Sequence, residues 1–401
     1  MTLETLQQLL APTGTDALAA AAVLKPTDVS YPAAYDRLSK RFPADVARAA
    51  LDQTLLRGKA VGKFAAAGRM LFTRDASEMA SGVATAAYRA KRFAGYARVA
   101  DLCCGLGADT LALAAAGRDV VGIDRDPVMV ALTQANLDAA GLPGRAVVGD
   151  ALTCDLAEFD AAFVDPGRRG GGRRVLGVEQ CEPPLSALER RFPAGFPWAA
   201  KLAPGIPRDD LARYGHAEAE FVSVRGELKE CVFWFGPLVT ATTRATMLPT
   251  GDTLTGIAGA YCEVGALGAY VYDPDATVSR GDLLATLATT VGGRQYDPGL
   301  AMLTSDVCVP SPFATAYRVL AALPWDAKRV TAALAEHDVG RLTILKRGAN
   351  LDADEVRRAL KLRGTLAREL ILTRYEDRVT AIVAERHFLG SPKSCYFGAS
   401  F

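Results

Sequence analysis

Residues 99–110 read VADLCCGLGADT, and this stretch decides the fold. An apolar run ends in Asp101, a small-residue loop with Gly105 and Gly107 follows, and an Ala-rich helical pattern begins at Leu111. Glycine lets the backbone turn sharply and approach a ligand where a Cβ would collide. A helix that starts there points free N–H groups and a partial positive charge at the ligand. The stretch alone predicts either a nucleotide-binding loop or an ordinary turn between a strand and a helix.

Three further apolar runs downstream each end in an acid. The runs 120–123, 146–149 and 161–164 are followed by Asp124, Asp150 and Asp165-Pro166. Asp124 follows the first loop glycine by about 20 residues, the spacing of the ribose-binding acid in dinucleotide-binding folds. Ligands of open parallel sheets bind outside the carboxyl ends of the strands. These segments therefore predict an α/β Rossmann-like sheet with a ligand site at one edge.

The loop also distinguishes between two cofactors. NAD enzymes usually carry G-x-G-x-x-G, and here Thr110 stands at the third glycine position. An acid, Asp101, precedes the loop instead. This order resembles the class I S-adenosylmethionine-dependent methyltransferases. The open alternatives are a NAD enzyme and strand ends that bind no cofactor.

The resemblance implies a set of cofactor contacts. Asp101 would hold the methionine end of S-adenosylmethionine, Asp124 the ribose and Asp150 the adenine. The resemblance also assigns cofactor contacts to the neighbouring residues Cys103, Gly105, Gly107, Arg125 and Ala151. The two loop cysteines, Cys103 and Cys104, are expected to be small fillers and not nucleophiles.

Residues 60 to 170 resemble the trimethylguanosine-synthase-like branch of these enzymes. The resemblance rests on Lys63-Phe64, then Leu71-Phe72-Thr73, then a helix that leads into the glycine loop. In that branch the helices before the core close over the cofactor and the guanine. The resemblance implies substrate contacts at Phe72 and Thr73, with helix capping as the alternative for Thr73.

The segment Asp165-Pro166-Gly167-Arg168 departs from the pattern of enzymes that methylate exocyclic amines. Those enzymes usually carry Asp, Asn or Ser, then Pro-Pro and an aromatic residue that stacks on the base. Asp165 remains the candidate catalytic acceptor, together with Pro166. Stacking would then fall to the guanidinium of Arg168 or to Phe72. Methylation of a base nitrogen is therefore less firmly predicted than methyl transfer itself.

Residues 168–174 read RRGGGRR and follow the candidate catalytic strand directly. Guanidinium groups form paired hydrogen bonds with phosphate oxygens. Arg168, Arg169 and Arg173 are therefore predicted to contact RNA or another phosphate. The alternative is a solvated loop that pairs with Glu179 and Glu182.

Four regions are predicted. Residues 1–95 are helical, with helices over 45–56 and 77–93, and residues 96–240 form a seven-stranded methyltransferase core. Residues 241–315 connect it to a small α+β domain at 316–401. Residues 339–348, VGRLTILKRG, resemble the bacterial THUMP-like signature, which implies RNA contacts at Lys346 and Arg347. Tyr272 and Tyr296 are either exposed aromatics for a base or, as expected, buried.

Composition favours a cytoplasmic enzyme. The chain has 401 residues, a net charge of +1 and eight cysteines without a C-x-x-C pair, so no metal site is predicted. No apolar run approaches the roughly 20 residues of a membrane span. We expect a methyltransferase that acts on a nucleobase of structured RNA, either tRNA or rRNA. An RNA-binding module with an inactive core and a small-molecule methyltransferase are the alternatives.

Overall fold

The computed structural model describes residues 1–64, 66–167 and 176–387, together with the backbone of 169–170 and 173–174. This part of the chain forms two compact units. The first comprises Met1–Glu218 and Glu230–Thr240, and the second comprises Ala219–Lys229 and the chain from Ala241 onward. Within the described ranges no helix is both long and apolar enough to cross a bilayer.

The first unit begins with six helices: α1 (Leu3–Leu10), α2 (Pro12–Leu24), α3 (Tyr31–Leu38), α4 (Ala44–Ala60), α5 (Arg74–Met79) and α6 (Val83–Arg92). The apolar faces of α1 to α4, with Leu6, Leu9 and Leu51 fully buried, form one cluster. The single helix predicted over 77–93 is wrong. The backbone is extended at Ala80 and Gly82, which separates α5 from α6.

The central sheet of the first unit follows these helices. Its strands, with the short pair β5 and β6 between them, are β1 (Arg98–Leu102), β2 (Asp119–Asp124), β3 (Arg145–Val148), β4 (Ala161–Val164), β5 (Arg169–Gly170), β6 (Arg173–Arg174), β7 (Trp198–Leu202) and β9 (Glu227–Phe235). The sheet order is β9-β7-β4-β1-β2-β3, and β9 alone runs antiparallel to its neighbour β7. The carboxyl ends of β1, β2, β3 and β4 therefore meet at one edge, as the sequence predicts.

The helices of this sheet are α7 (Ala108–Ala115), α8 (Pro127–Ala140), α9 (Leu185–Arg191) and α10 (Arg208–Arg213). Gly107 caps α7 with φ of 88°, and a Cβ there would lie 2.8 Å from Thr133 Cγ2. Glycine is thus required by both the backbone and the packing. On α8, the buried amide of Asn136 accepts from Leu71 N–H at 2.7 Å and donates to Leu106 O at 2.9 Å.

The second unit contains two groups of strands. In the first group, β8 (Glu218–Val224) pairs in parallel with β10 (Thr243–Leu248), which forms a hairpin with β11 (Asp252–Gly256). The predicted seven-stranded core thus differs from the structure: six strands form the sheet of the first unit, and β8, β10 and β11 belong to the second unit. The predicted core ended near residue 240 and therefore did not include the β10–β11 hairpin.

The second group is a seven-stranded sheet in the order β13-β14-β12-β15-β18-β17-β16. Its strands are β12 (Tyr270–Pro274), β13 (Arg294–Gln295), β14 (Leu303–Ser305), β15 (Ala314–Pro324), β16 (Val339–Arg347), β17 (Leu366–Tyr375) and β18 (Arg378–Arg386). The helices are α11 (Ala276–Arg280), α12 (Leu284–Val291), α13 (Ala327–Glu336) and α14 (Ala353–Ala359). Residues predicted to connect the domains therefore contribute β12, β13 and β14 to this sheet, and Tyr272 and Tyr296 are buried in it.

Candidate functional site

A cavity of about 760 Å³ opens at the carboxyl edge of the central sheet. The glycine loop after β1 and the residues that follow β2, β3 and β4 line it. The segments 76–81 and 182–184 form further parts of the wall. The cavity brings together Asp101, Asp124, Asp150 and Asp165, the four acids that the sequence places at strand ends.

Asp101 is the most buried of these acids, with only 1% of its surface exposed. Its Oδ2 accepts a hydrogen bond from Thr110 Oγ1 at 2.5 Å. Its Oδ1 is buried and has no hydrogen-bond partner among the described residues. Burial, with the nearby Asp109 carboxylate, raises the pKa of Asp101 well above its ordinary value. A cationic donor in the cavity would satisfy this oxygen.

Asp124 is held in place by the loop that it faces. Gly105 N–H donates to Oδ2 at 3.0 Å and Asp126 N–H donates to Oδ1 at 2.9 Å. Arg125, the next residue, is exposed and forms an ion pair of 2.5 Å with Glu182. The carboxylate of Asp124 is therefore fixed at the cavity wall, where its remaining lone pairs suit a diol.

Asp150 and Ala151 follow β3, the edge strand. The carboxylate of Asp150 is exposed, and its Oδ1 accepts from Leu152 N–H at 2.7 Å. Ala151 is buried and lines the cavity beside it. This wall therefore combines one fixed acceptor with a small apolar surface, which fits a planar ring with an amino group.

The loop cysteine Cys103 has a left-handed backbone with φ of 58° and is partly buried. Burial raises the pKa of its thiol, and the surrounding carboxylates of Asp124, Asp165 and Asp101 add to the effect. The thiolate, not the thiol, is the nucleophile. Cys103 thus lines the cavity, and its environment does not favour the nucleophilic thiolate.

Asp165 is bound to a lysine that the sequence analysis missed. Lys201 Nζ on β7 lies 2.5 Å from Asp165 Oδ2, and only 4% of the lysine side chain is exposed. The same Nζ lies 3.1 Å from Ser81 Oγ. A lone lysine in the apolar run 198–202 was the available signal, because a buried charge needs a partner. Pro166 is buried in the cavity wall after Asp165.

Arg89 on α6 was also missed. Its guanidinium is buried and bonds to Asp109 Oδ1 at 2.5 Å, to Ser81 Oγ at 2.5 Å and to Glu230. It also lies over the ring of Phe163, 4.9 Å from the centroid. Arg89 therefore binds α6 and the α5–α6 break to the sheet beneath the cavity.

The prediction that Phe72 contacts the substrate is wrong for this structure. Phe72 is fully buried and packs against Phe64 with ring centroids 5.4 Å apart. Its backbone N–H and C=O both bond to the side chain of Gln53. Thr73 caps α5 by accepting from Ala76 N–H, which is the alternative that the sequence left open.

The basic candidates have different outcomes. Arg168 lies outside the described residues, as do the side chains of Arg169 and Arg173. Lys346 is exposed on β16. Arg347 donates to both carboxylate oxygens of Asp273, at 2.7 and 2.5 Å, so much of its charge is neutralised within the second unit.

The cavity residues fit S-adenosylmethionine. The unpartnered Asp101 Oδ1 suits the ammonium of the methionine end, and the fixed carboxylate of Asp124 suits the two ribose hydroxyls. Charge-assisted bonds of this kind are roughly twice as strong as neutral ones. The assignment of these residues to the cofactor remains a prediction from the resemblance and the geometry.

Three protein families match parts of the chain. A methyltransferase domain matches residues 99–165, and a THUMP domain-like family matches residues 314–386. A domain of unknown function matches residues 2–60. The first two matches cover the regions in which the sequence resembles these families.

Whole-chain relatives agree. A Mycobacterium tuberculosis protein named as an uncharacterized S-adenosylmethionine-dependent methyltransferase is 32% identical over 333 residues, covering 81% of this chain and 92% of the relative. The crystal structure of a putative methyltransferase from Porphyromonas gingivalis shares the fold, with a TM-score of 0.75 and 22% identity. That match covers 94% of this chain and 99% of the other.

One further relative matches only a short part of the chain. The 23S rRNA (uracil(1939)-C(5))-methyltransferase of Shewanella piezotolerans is 32% identical over 92 residues, about 21% of each chain.

Proposed function

Because this chain belongs to the S-adenosylmethionine-dependent methyltransferases, we propose that it methylates a nucleobase of structured RNA, either tRNA or rRNA. The observation that carries the proposal is that Asp101, Asp124 and Asp165, at the ends of neighbouring strands, line one and the same cavity. A cofactor and a substrate group can meet there with an acceptor beside them.

The proposed chemistry asks little of the protein. The sulfonium of S-adenosylmethionine supplies an already activated methyl group. The chain gains most by holding the nucleophile in line with that methyl group, since orientation alone can supply about 7–11 kcal/mol of the barrier. Asp165, at the end of β4, is our candidate acceptor for a hydrogen of the substrate nucleophile.

The proposed RNA contact rests on the second unit. Exposed cations lie along the THUMP-like region: Lys328, Arg329, Arg341, Lys346, Arg357, Arg358, Lys361 and Arg363. The nearby acids Asp352, Asp354 and Glu355 reduce the net charge but leave an excess of cations. Phosphate contacts of this kind depend steeply on salt. The local match to an rRNA methyltransferase supports the same substrate class.

The first experiment measures S-adenosylmethionine binding by calorimetry, with NAD as a comparison ligand. We expect binding by the wild type and a large loss in Asp124→Ala, with Asp138→Ala on the exposed face of α8 as the matched control. No binding by folded wild-type protein would favour the RNA-binding module with an inactive core.

The second experiment supplies labelled S-adenosylmethionine to cellular RNA fractions, with ribonuclease-treated fractions as controls. We expect label in tRNA or rRNA that ribonuclease removes. Label that appears only in the small-molecule fraction would favour the small-molecule methyltransferase instead.

A further inference from the structure

Lys201 is a buried lysine next to the cavity, and its side chain contacts Asp165 and not the cavity itself. It is the next-to-last residue of β7, between apolar neighbours, and its side chain is almost fully buried. Its ammonium contacts Asp165 Oδ2 at 2.5 Å and Ser81 Oγ at 3.1 Å. Its charge is therefore directed to one carboxylate oxygen and is not presented to the ligand.

The opposite oxygen of that carboxylate has no such constraint. Asp165 lines the cavity, and about a quarter of its side chain is exposed. No hydrogen bond engages Oδ1 among the described residues, while Lys201 holds Oδ2. A carboxylate fixed at one oxygen presents the other as an acceptor in a defined direction, and preorganised acceptors lose little energy on reaction.

Ser81 completes the tether. Its Oγ receives hydrogen bonds from both Lys201 and Arg89, and it lies at the break between α5 and α6. Arg89 is itself held by Asp109 and Glu230, so Ser81 is fixed in place. The ammonium of Lys201 therefore has two fixed partners, Ser81 and Asp165.

We propose that Lys201 is a positioning residue that holds Asp165 as a one-sided acceptor, and that the methylated atom is therefore a hydrogen-bearing nitrogen of the base. This inference rests on the proposed function. The N–H of the substrate donates to Asp165 Oδ1, which directs the nitrogen lone pair towards the methyl group. The nitrogen forms the new N–C bond as the S–CH₃ bond breaks and the sulfur keeps the bonding pair. The proton of that nitrogen is then taken up by Asp165 Oδ1 and released to water.

The other class of base methylation needs different machinery. A ring carbon such as uracil C5 becomes nucleophilic only after a nucleophile, typically a thiolate, adds to the neighbouring ring carbon. The thiols on the described wall of this cavity are Cys103 and Cys104. Burial raises the pKa of both, and Cys104 Sγ is within 3.6 Å of Thr133 Oγ1. The cavity is thus equipped for nitrogen and poorly equipped for carbon.

The test compares Lys201→Met, which keeps the length but removes the charge, with Lys201→Arg, which keeps the charge. Lys91→Met, at an exposed position of α6, is the matched control. For Lys201→Met we expect kcat to fall by roughly 10²-fold or more, the range of positioned proton-accepting groups. KM and S-adenosylmethionine affinity should change little, and Lys201→Arg should recover part of kcat. Wild-type kcat in Lys201→Met would overturn the proposal.

Two further readouts keep the outcome decisive. Mass spectrometry of the product nucleoside should show an N-methyl group, and a C-methyl product would overturn the substrate class. Thermal unfolding of Asp165→Asn, Lys201→Met and the double variant needs no substrate. We expect Asp165→Asn to lower Tm because the buried ammonium of Lys201 loses its carboxylate partner. We expect the double variant to recover stability because it removes that ammonium as well. If wild-type protein methylates no RNA, the proposed function fails, while non-additive Tm shifts still establish the Lys201–Asp165 pair and additive shifts refute it.

Discussion

S-adenosylmethionine should bind with release of a proton from Asp101. In the unliganded protein this acid is buried, its Oδ1 lacks a partner among the described residues, and its pKa is raised well above the ordinary value of 3.8. An ammonium against the carboxylate favours the ionised form, so the pKa of Asp101 falls on binding. Affinity should therefore rise with pH between the lowered pKa of the complex and the raised pKa of the free protein, and level off above it.

The magnitude follows from linkage. Each unit by which binding lowers the pKa of Asp101 corresponds to about 1.4 kcal/mol, so affinity gains up to about tenfold per pH unit in that window. Asp101→Asn removes the titration and replaces a charge-assisted hydrogen bond worth about 1.5–3 kcal/mol. Its affinity at neutral pH should be roughly 10- to 100-fold lower and nearly independent of pH.

Calorimetry from about pH 5 to about pH 8, in two buffers of different ionisation enthalpy, counts the protons released. Asp138→Asn is the matched control and should behave as the wild type. Equal binding enthalpies in the two buffers throughout this range, with unimpaired affinity in Asp101→Asn, would refute the reasoning.

The raised pKa of Asp101 also predicts how folding stability depends on pH. The dependence is opposite to that of an acid whose pKa is lowered by an ion pair. Because the folded pKa of Asp101 is raised, the folded state holds its proton more tightly than the unfolded state. Its contribution is complete below the unfolded value and is lost as the pH rises towards the folded one. Unliganded Asp101→Asn should therefore have a higher Tm than the wild type at neutral pH, measured by calorimetric scanning. A lower Tm would contradict the burial argument.

Three more outcomes are expected. Phe72→Ala should lower the free energy of unfolding by about 3–5 kcal/mol, seen by denaturant titration; an unchanged stability with a raised KM for RNA would restore it as a substrate contact. Arg89→Met leaves two buried carboxylates without their cation and should lower the free energy of unfolding by about 3–5 kcal/mol. Adding Asp109→Asn and Glu230→Gln should recover part of that loss. Lys346→Glu should weaken RNA binding and reduce its salt slope by about one or more, without changing S-adenosylmethionine affinity.

The sheet edge was predictable because parallel strands share a direction. Once the runs that end in Asp101, Asp124, Asp150 and Asp165 are taken as consecutive parallel strands, their acids must converge on one edge. No knowledge of side-chain packing is needed for that step. The strand count was less accessible, since the β10–β11 hairpin has no motif.

The partners beneath the cavity were not predictable in the same way. Lys201 and Asp165 are far apart in sequence, and the pairing depends on which side of β7 the lysine faces. In the run 88–92, which reads YRAKR, three cations compete for the inward face of α6, and the helix phase that selects Arg89 is set by tertiary packing. Phe72 failed for a related reason: an aromatic residue at the end of the apolar run 70–72 is as easily core as surface.

Asn136 has a consequence for how far the folding unit around the cavity extends. One amide joins the backbone of Leu71, in the segment that leads from the N-terminal helices, to that of Leu106, in the glycine loop. A fragment of residues 96–240 alone would keep the bond to Leu106 but would lose both hydrogen bonds between Asn136 and Leu71. The unit that must fold together is therefore longer than the recognisable methyltransferase motif and includes the segment that leads from the N-terminal helices, since buried polar groups need their partners.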